Sequence, residues 1–149
     1  MASPALQRGR VSAIGSCYVV TTVTHQRHRH LADPRAATEL QHWIAHADTQ
    51  HLTRTHAWVI MPDHLHWMFT LRTGALEQAV RTLKSRSAKA INQRCGLRGA
   101  FWQAGYYDQL QRDERQWRQQ ALYIVNNPVR AGLVSAVNDY PYLWCRWDP

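Results

Sequence analysis

Apolar and polar positions along this chain alternate between stretches with the two-residue period of strands and stretches with the longer period of helices. Two apolar runs, residues 58–61 and 64–71, flank a Pro-Asp pair, which is typical of a tight turn between strands. So short a connection predicts that the two strands are antiparallel. Residues 17–24 are rich in β-branched side chains and predict a central first strand. Another strand is predicted at residues 100–108.

Three helices are predicted from apolar spacing and from their end signals. The first begins at Asp33, a capping residue followed by a proline that suits the first turn. The second covers residues 75–95 and stops at Gly96. The third begins near Asp113 and ends just before Pro128.

The order strand, helix, hairpin, helix, strand, helix is an α+β order. It predicts a ferredoxin-like split βαβ fold, with an antiparallel sheet of four to five strands and helices packed on one face. The other face is expected to be open to a ligand. Residues 1–149 are interpreted as one domain, in which residues 1–14 are a loose lead-in and the aromatic tail at 133–149 packs back on the domain.

Charge and composition narrow the class of partner. The chain has 149 residues, and 18 Lys and Arg against 10 Asp and Glu give it a net charge of +8. This excess favours an anionic partner, and the mixing of basic residues with Trp and Tyr favours nucleic acid. Three distant cysteines support neither a disulfide framework nor a zinc knuckle. No apolar stretch reaches the length of a membrane span or a signal-peptide core, so a cytoplasmic location without membrane contact is expected.

Several basic residues are candidate DNA contacts. The tract at residues 25–30 alternates His with polar and basic residues, and it is interpreted as a solvated cationic strand end rather than a metal tract. The second helix is rich in basic residues, which either face solvent or contact a phosphate backbone. The candidates are Arg27, Arg29, Arg81, Lys84, Lys89 and Arg130.

Two histidines open the second strand of the hairpin. Side chains on a strand alternate between faces, so His64 and His66 are predicted to share one face, and Leu65 and Trp67 the other. Two imidazoles at this spacing can converge on one divalent ion. They can equally be half-exposed strand residues, and the spacing alone leaves both interpretations open.

A tyrosine stands on the polar side of the third helix. Gln116, Gln120, Tyr123 and Asn127 fall on one side at helical spacing, away from the apolar stripe. Such a tyrosine is by itself most often a surface ring, although it has the chemistry of a nucleophile.

Together these motifs resemble the single-tyrosine HUH transposases, and in particular the REP-associated tyrosine transposases. The similarity follows family order through four stretches, which are residues 18–22 (YVVTT), 58–66 (WVIMPDHLH), 101–108 (FWQAGYYD) and 123–133 (YIVNNPVRAGL). The block around the two histidines and the block around the tyrosine are specific only in combination.

The resemblance implies a metal-dependent nuclease that acts on single-stranded DNA hairpins. It implies that His64, His66 and Asn127 hold Mg²⁺ or Mn²⁺, and that Tyr123 is the nucleophile. Cleavage would leave a 5′-phosphotyrosine and a free 3′-hydroxyl, and rejoining would be the reverse attack. The family includes dimers that share active sites, so both a monomer and a homodimer fit the sequence.

Several alternatives stay open at this level. Tyr106 and Tyr107 are rival nucleophiles, because adjacency puts one of them on the histidine face. Asp63 is either a turn residue, which its position favours, or a residue that orients a histidine. At the level of function, the alternatives are a hairpin-binding module without cleavage and a metal-dependent phosphodiesterase that activates water.

Overall fold

Five strands form one antiparallel sheet in the computed structural model, which describes residues 12–148 of the chain. The strands are β1 (Cys17–Val23), β2 (Thr53–Met61), β3 (His64–Leu71), β4 (Tyr107–Gln111) and β5 (Leu143–Cys145). They lie in the order β4-β1-β3-β2-β5, and every neighbouring pair is antiparallel. The predicted α+β fold with four to five strands is confirmed.

Four α-helices accompany the sheet, and their ends follow local signals. They are α1 (Pro34–Thr49), α2 (Leu76–Cys95), α3 (Trp117–Val125) and α4 (Asn127–Arg130). Asp33 caps α1 by accepting a hydrogen bond from the backbone of Arg35. Gly96 ends α2 with φ of 68°, in the left-handed region that favours glycine. The third helix expected from the sequence corresponds to a 3-10 turn at Glu114–Gln116 followed by α3, and Pro128 stands in the first turn of the separate helix α4.

The two faces of the sheet carry two separate apolar clusters. Because strand side chains alternate, Leu65 and Trp67 of β3 pack with α1 and α2, whereas Met68 packs on the opposite face. Ala121 and Ile124 of α3 belong to this second cluster. The expectation that helices pack on one face therefore describes the two long helices, and α3 covers part of the other face.

The strand expected at residues 100–108 begins later, at Tyr107. The preceding segment is a loop because its aromatic side chains turn into the core below α2, where Trp102 Nε1 donates to Ser87 Oγ at 3.1 Å. Lys84 fixes the loop from the same helix, since its ammonium group donates to the carbonyl oxygens of Gln103 at 2.8 Å and Gly105 at 2.6 Å. One antiparallel bridge joins Trp102 of this segment to Thr24, and continuous pairing with β1 begins only at Tyr107.

The aromatic tail packs on the domain as its sequence predicted. Its strand β5 pairs with β2, and the Tyr140 hydroxyl donates to the carbonyl oxygen of Ile60 at 2.6 Å. The expected lead-in at 1–14 lies mostly outside the described residues. Within residues 12–148, no helix is both long enough and apolar enough to span a membrane.

His56 joins the tail to the middle of the sheet from a register shift in β2. Its side chain is 1% exposed, with Thr70 Oγ1 2.8 Å from Nε2 and Arg146 Nη1 3.1 Å from Nδ1. Because a guanidinium can only donate, Nδ1 accepts this hydrogen bond and Nε2 donates to the threonine. Burial, with the charges of Arg146 and Arg54, lowers the pKa of His56 to about 4.

This buried imidazole predicts that acid destabilises the fold. The folded pKa lies below the ordinary value of 6.5, so the unfolded chain binds more protons in acid. Stability that is present above pH 6.5 is therefore lost as the pH falls towards 4, by up to about 3 kcal/mol from His56 alone. The free energy of unfolding, measured with urea, should change less between pH 7 and pH 4.5 in His56→Gln than in the wild type. An equal change in both proteins would contradict this assignment.

Candidate functional site

His64 and His66 lie side by side on the face of β3 that α3 partly covers. Their ring centroids are 4.8 Å apart and the rings are nearly perpendicular, at 82°. His66 lies in register between Thr21 of β1 and Val59 of β2. Leu65 is buried on the opposite face, so the shared histidine face predicted from the alternation is confirmed.

Each histidine is anchored through its Nδ1 atom. His64 Nδ1 lies 2.7 Å from Asp63 Oδ1, and His66 Nδ1 lies 2.8 Å from Thr21 Oγ1. In the tautomer whose Nδ1 carries the hydrogen, the lone pair of each Nε2 is available to a metal ion. Asp63 therefore orients a histidine in addition to forming the turn. Its position in the sequence had favoured the turn role alone.

The local environment lowers the pKa of both His66 and Asp63. Burial, with the neighbouring charges of His64 and Arg130, lowers the pKa of His66 to about 4, so its ring is neutral at pH 7. Burial acts to raise the pKa of Asp63, but hydrogen bonds and charge from His64 and Arg27 outweigh it and lower that pKa. A neutral imidazole and an ionised carboxylate behind its neighbour are the forms that favour coordination.

Tyr123 projects from α3 with 59% of its surface exposed. The guanidinium carbon of Arg130 lies 3.8 Å from the centroid of its ring, and Arg130 Nη1 donates to the Tyr123 carbonyl oxygen at 2.8 Å. The charge of the same arginine also contributes to the lowered pKa of His66. Among residues 12–148, no hydrogen bond joins Tyr123 directly to either histidine.

Asn127 is the first residue of α4, which contacts β2 next to the histidine strand. Its Nδ2 atom donates to the carbonyl oxygen of Ile124 at 2.9 Å, which leaves the amide oxygen available to a ligand. The described residues contain no cluster of three His, Cys, Asp or Glu that could hold a metal. The two imidazoles lie together, and the Asn127 amide oxygen is the further candidate donor. Such a neutral set would suit Mn²⁺ or, with water or phosphate oxygens, Mg²⁺.

The structure brings only some of the candidate basic residues to this face. Arg27 reaches it through an ion pair of 3.1 Å with Asp63, and Arg130 reaches it as described above. Arg29 acts electrostatically on Tyr140 of the tail. The other three candidates lie on α2, over the opposite face of the sheet. They are Arg81, Lys84 and Lys89.

Lys84 has a structural role that its sequence context did not predict. Its ammonium group is committed to two loop carbonyl oxygens, and burial lowers its pKa to about 8. Arg81, one turn before it, pairs with Glu77 at the surface. The basic residues of α2 therefore have different roles: Lys84 stabilises the fold, whereas Arg81 faces solvent.

Sequence reasoning missed Thr21, and it left the choice between Tyr106 and Tyr107 open. Thr21 pairs with His66 on one side and with Tyr107 on the other, so these three residues form one row across the sheet. Tyr106 is buried in the cluster on the opposite face. Only the strand register reveals this row, because residues 21, 66 and 107 are distant in the chain.

Comparison with known proteins finds a matching family and a similar bacterial protein. Residues 14–127 match the family described as Transposase IS200 like. The REP-associated tyrosine transposase of Escherichia coli (strain K12) is 30% identical over 103 residues, or 69% of this chain and 61% of that protein. The chain therefore spans less than two thirds of the length of this relative.

Two solved structures share the fold. A REP-associated tyrosine transposase bound to a REP hairpin aligns with a TM-score of 0.74 and 26% identity, over 96% of this chain and 82% of that chain. A chain from Deinococcus radiodurans r1 aligns with a TM-score of 0.56 and 24% identity, over 80% of this chain and 95% of that chain. The second likeness concerns the fold alone.

Proposed function

Because this chain belongs to the IS200-like transposase family, as its motifs predicted, we propose that it cuts and rejoins single-stranded DNA at palindromic hairpins through a covalent bond to Tyr123. The solved relative with a TM-score of 0.74 is bound to a REP hairpin, which supports a DNA hairpin as the substrate. The net charge of +8 also favours a polyanion. The proposed nuclease is one domain that includes the tail.

Tyr123 is the proposed nucleophile because it is exposed and lies beside Arg130. Its phenol oxygen attacks the scissile phosphorus, and the bond from phosphorus to the 3′ oxygen breaks. The tyrosine gives up its proton, the departing 3′ oxygen takes one up, and the strand ends as a 5′-phosphotyrosine and a free 3′-hydroxyl. The phosphodiester energy is retained in the new bond, so rejoining is the same step in reverse and needs no nucleotide.

His64, His66 and Asn127 are the proposed ligands of a divalent metal, Mg²⁺ or Mn²⁺. When bound, such an ion draws charge from the non-bridging oxygens of the scissile phosphate. The neutral ligand set leaves the charge of the ion uncancelled by the protein. Asp63 and Thr21 hold the two rings in the orientation that exposes Nε2, and Arg130 adds a fixed positive charge where the phosphate is expected.

The observation that carries this proposal is the anchored histidine pair on the same sheet face as α3. Among residues 12–148, both Nδ1 atoms have a hydrogen-bond partner and no hydrogen bond uses either Nε2 atom, which is the arrangement typical of metal-binding histidines. Arg130 lies over the tyrosine ring, and its charge contributes to the lowered pKa of His66, which supports a shared site for the tyrosine and the histidines.

The direct test is the formation of a covalent protein-DNA adduct. The protein is incubated with labelled single-stranded hairpins, with and without Mg²⁺ or Mn²⁺, and separated on a denaturing gel. We expect a metal-dependent band that is shifted by the mass of the protein. Nicking without an adduct would instead indicate a phosphodiesterase that uses water, and binding without nicking over a wide hairpin panel would indicate a binding module.

Asp63 provides a graded test of the metal site. Removing the carboxylate that holds His64 is expected to lower the affinity for Mn²⁺ about 10- to 100-fold in Asp63→Ala. Asp63→Asn keeps an acceptor oxygen and should lose less. Titration calorimetry measures this without reference to cleavage, and the exposed Asp139, changed to Ala, is the control. Unchanged Mn²⁺ affinity in Asp63→Ala would show that this contact only shapes the turn.

A further inference from the structure

A cavity lined by glutamines lies beside Tyr123, between the start of α3 and the end of β4. Its volume is about 260 Å³, and its lining contains no charged side chain. Four glutamines and the tyrosine form its walls, namely Gln111, Gln116, Gln119, Gln120 and Tyr123. One glutamine comes from the end of β4 and the other three from the start of α3 and the turn before it. The fold thus gathers amides from two elements around one aromatic ring.

Most of these amides have unused hydrogen-bonding capacity. Across residues 12–148, no protein group hydrogen-bonds to the side-chain amides of Gln116, Gln119 or Gln120. Gln111 Nε2 donates to the carbonyl oxygen of Gln109 at 3.3 Å, which orients that amide and leaves its oxygen available. A primary amide offers both donors and an acceptor, and the edge of a nucleobase presents the same mixture.

The chemistry of the lining favours a base over a phosphate. Phosphate oxygens are bound mainly by Arg, Lys and backbone amides, and the cavity lining contributes no cationic side chain. Unpaired bases are recognised by hydrogen bonds to their edges and by aromatic stacking. Tyr123 supplies an aromatic ring at the wall. A group in this cavity would touch the residue that carries the proposed nucleophilic oxygen.

We propose that this cavity holds one of the two unpaired bases that flank the cut, and that Gln120 determines which base is accepted there. The inference rests on the proposed function, because it takes Tyr123 as the residue that meets the scissile phosphate. Gln120 is half-buried, whereas Gln116 and Gln119 are exposed, so its amide is the most constrained of the three. It also stands one turn before Tyr123 on the same side of the helix.

Binding selection tests the cavity without depending on cleavage. Tyr123→Phe protein is mixed with a pool of palindromic DNA hairpins whose single-stranded flanks are randomised, and the bound fraction is sequenced. We expect one flank position to show a base preference of about 5- to 150-fold, the range for a good amide-base pair. Adding Gln120→Ala should reduce the preference at that position to near one. Adding Gln93→Ala, at an exposed glutamine of α2, should leave it unchanged.

The outcomes separate this inference from the proposed function. A base preference that survives Gln120→Ala, the absence of any preference, or an equal loss of affinity for all four bases would overturn the cavity assignment. If the wild type also forms covalent adducts, the transposase assignment stands without the cavity. If adducts never form but a Gln120-dependent base preference is found, the cavity binds an unpaired base, whereas the nucleophile assignment and the placement of that base beside a cut are overturned.

Discussion

Replacing Tyr123 by phenylalanine is expected to reduce covalent adduct formation and strand cleavage by roughly 10⁴-fold or more, because the variant has no oxygen to attack phosphorus. The ring and its contact with the Arg130 guanidinium at 3.8 Å are retained. The side chain is mostly exposed, so folding and hairpin affinity should change by no more than about twofold. A denaturing gel measures the adduct, and fluorescence anisotropy measures affinity for the same hairpin.

Tyr107→Phe is the matched control for this experiment. Tyr106 and Tyr107 were both rival nucleophiles in the sequence, and the strand register places Tyr107 in the row that contains Thr21 and His66. If Tyr123 is the nucleophile, the control keeps its adduct. An adduct that persists in Tyr123→Phe and disappears in Tyr107→Phe would move the nucleophile to β4.

The second large effect is expected at the histidine pair. His66→Ala removes one of two imidazole nitrogens, and the affinity for Mn²⁺ should fall by more than about 100-fold, together with adduct formation. Titration calorimetry gives the affinity, and the gel gives the adduct. His42→Ala, at an exposed position of α1, is the control for loss of a histidine as such.

Folding must be separated from metal binding, because His66 also bonds to Thr21 inside the sheet. His66→Gln retains a polar group at this position and should also lose Mn²⁺ affinity, while thermal unfolding of the metal-free protein reports on structure. Thr21→Val removes the anchor and keeps the ligand, so a smaller loss is expected. If His66→Gln binds Mn²⁺ as tightly as the wild type, the metal site lies elsewhere.

Much of this protein follows from patterns that act within a few residues. The Pro-Asp pair predicted the hairpin, Asp33 and Gly96 predicted where helices begin or end, and the strand alternation placed His64 and His66 on one face. Each of these predictions rests on backbone geometry that a short segment expresses by itself. The family motifs added the expected roles of the histidines and of Tyr123, which the experiments above test.

Other features depend on partners that are distant in the chain. The register between β1 and β3 decides that Thr21 meets His66, and the fold brings Trp102 below α2, where it donates to Ser87. Lys84 anchors a loop because the carbonyl oxygens of Gln103 and Gly105 lie within hydrogen-bond distance of its ammonium group.

The sequence by itself determined the elements and the faces on which their side chains lie, because these depend on the local period of the backbone. The tertiary structure decided which faces meet. It placed α3 on the sheet face opposite α1 and α2, and it brought Gln111 of β4 to the glutamines of α3 that line the cavity. Such contacts depend on the packing of the whole chain, and no local pattern encodes them.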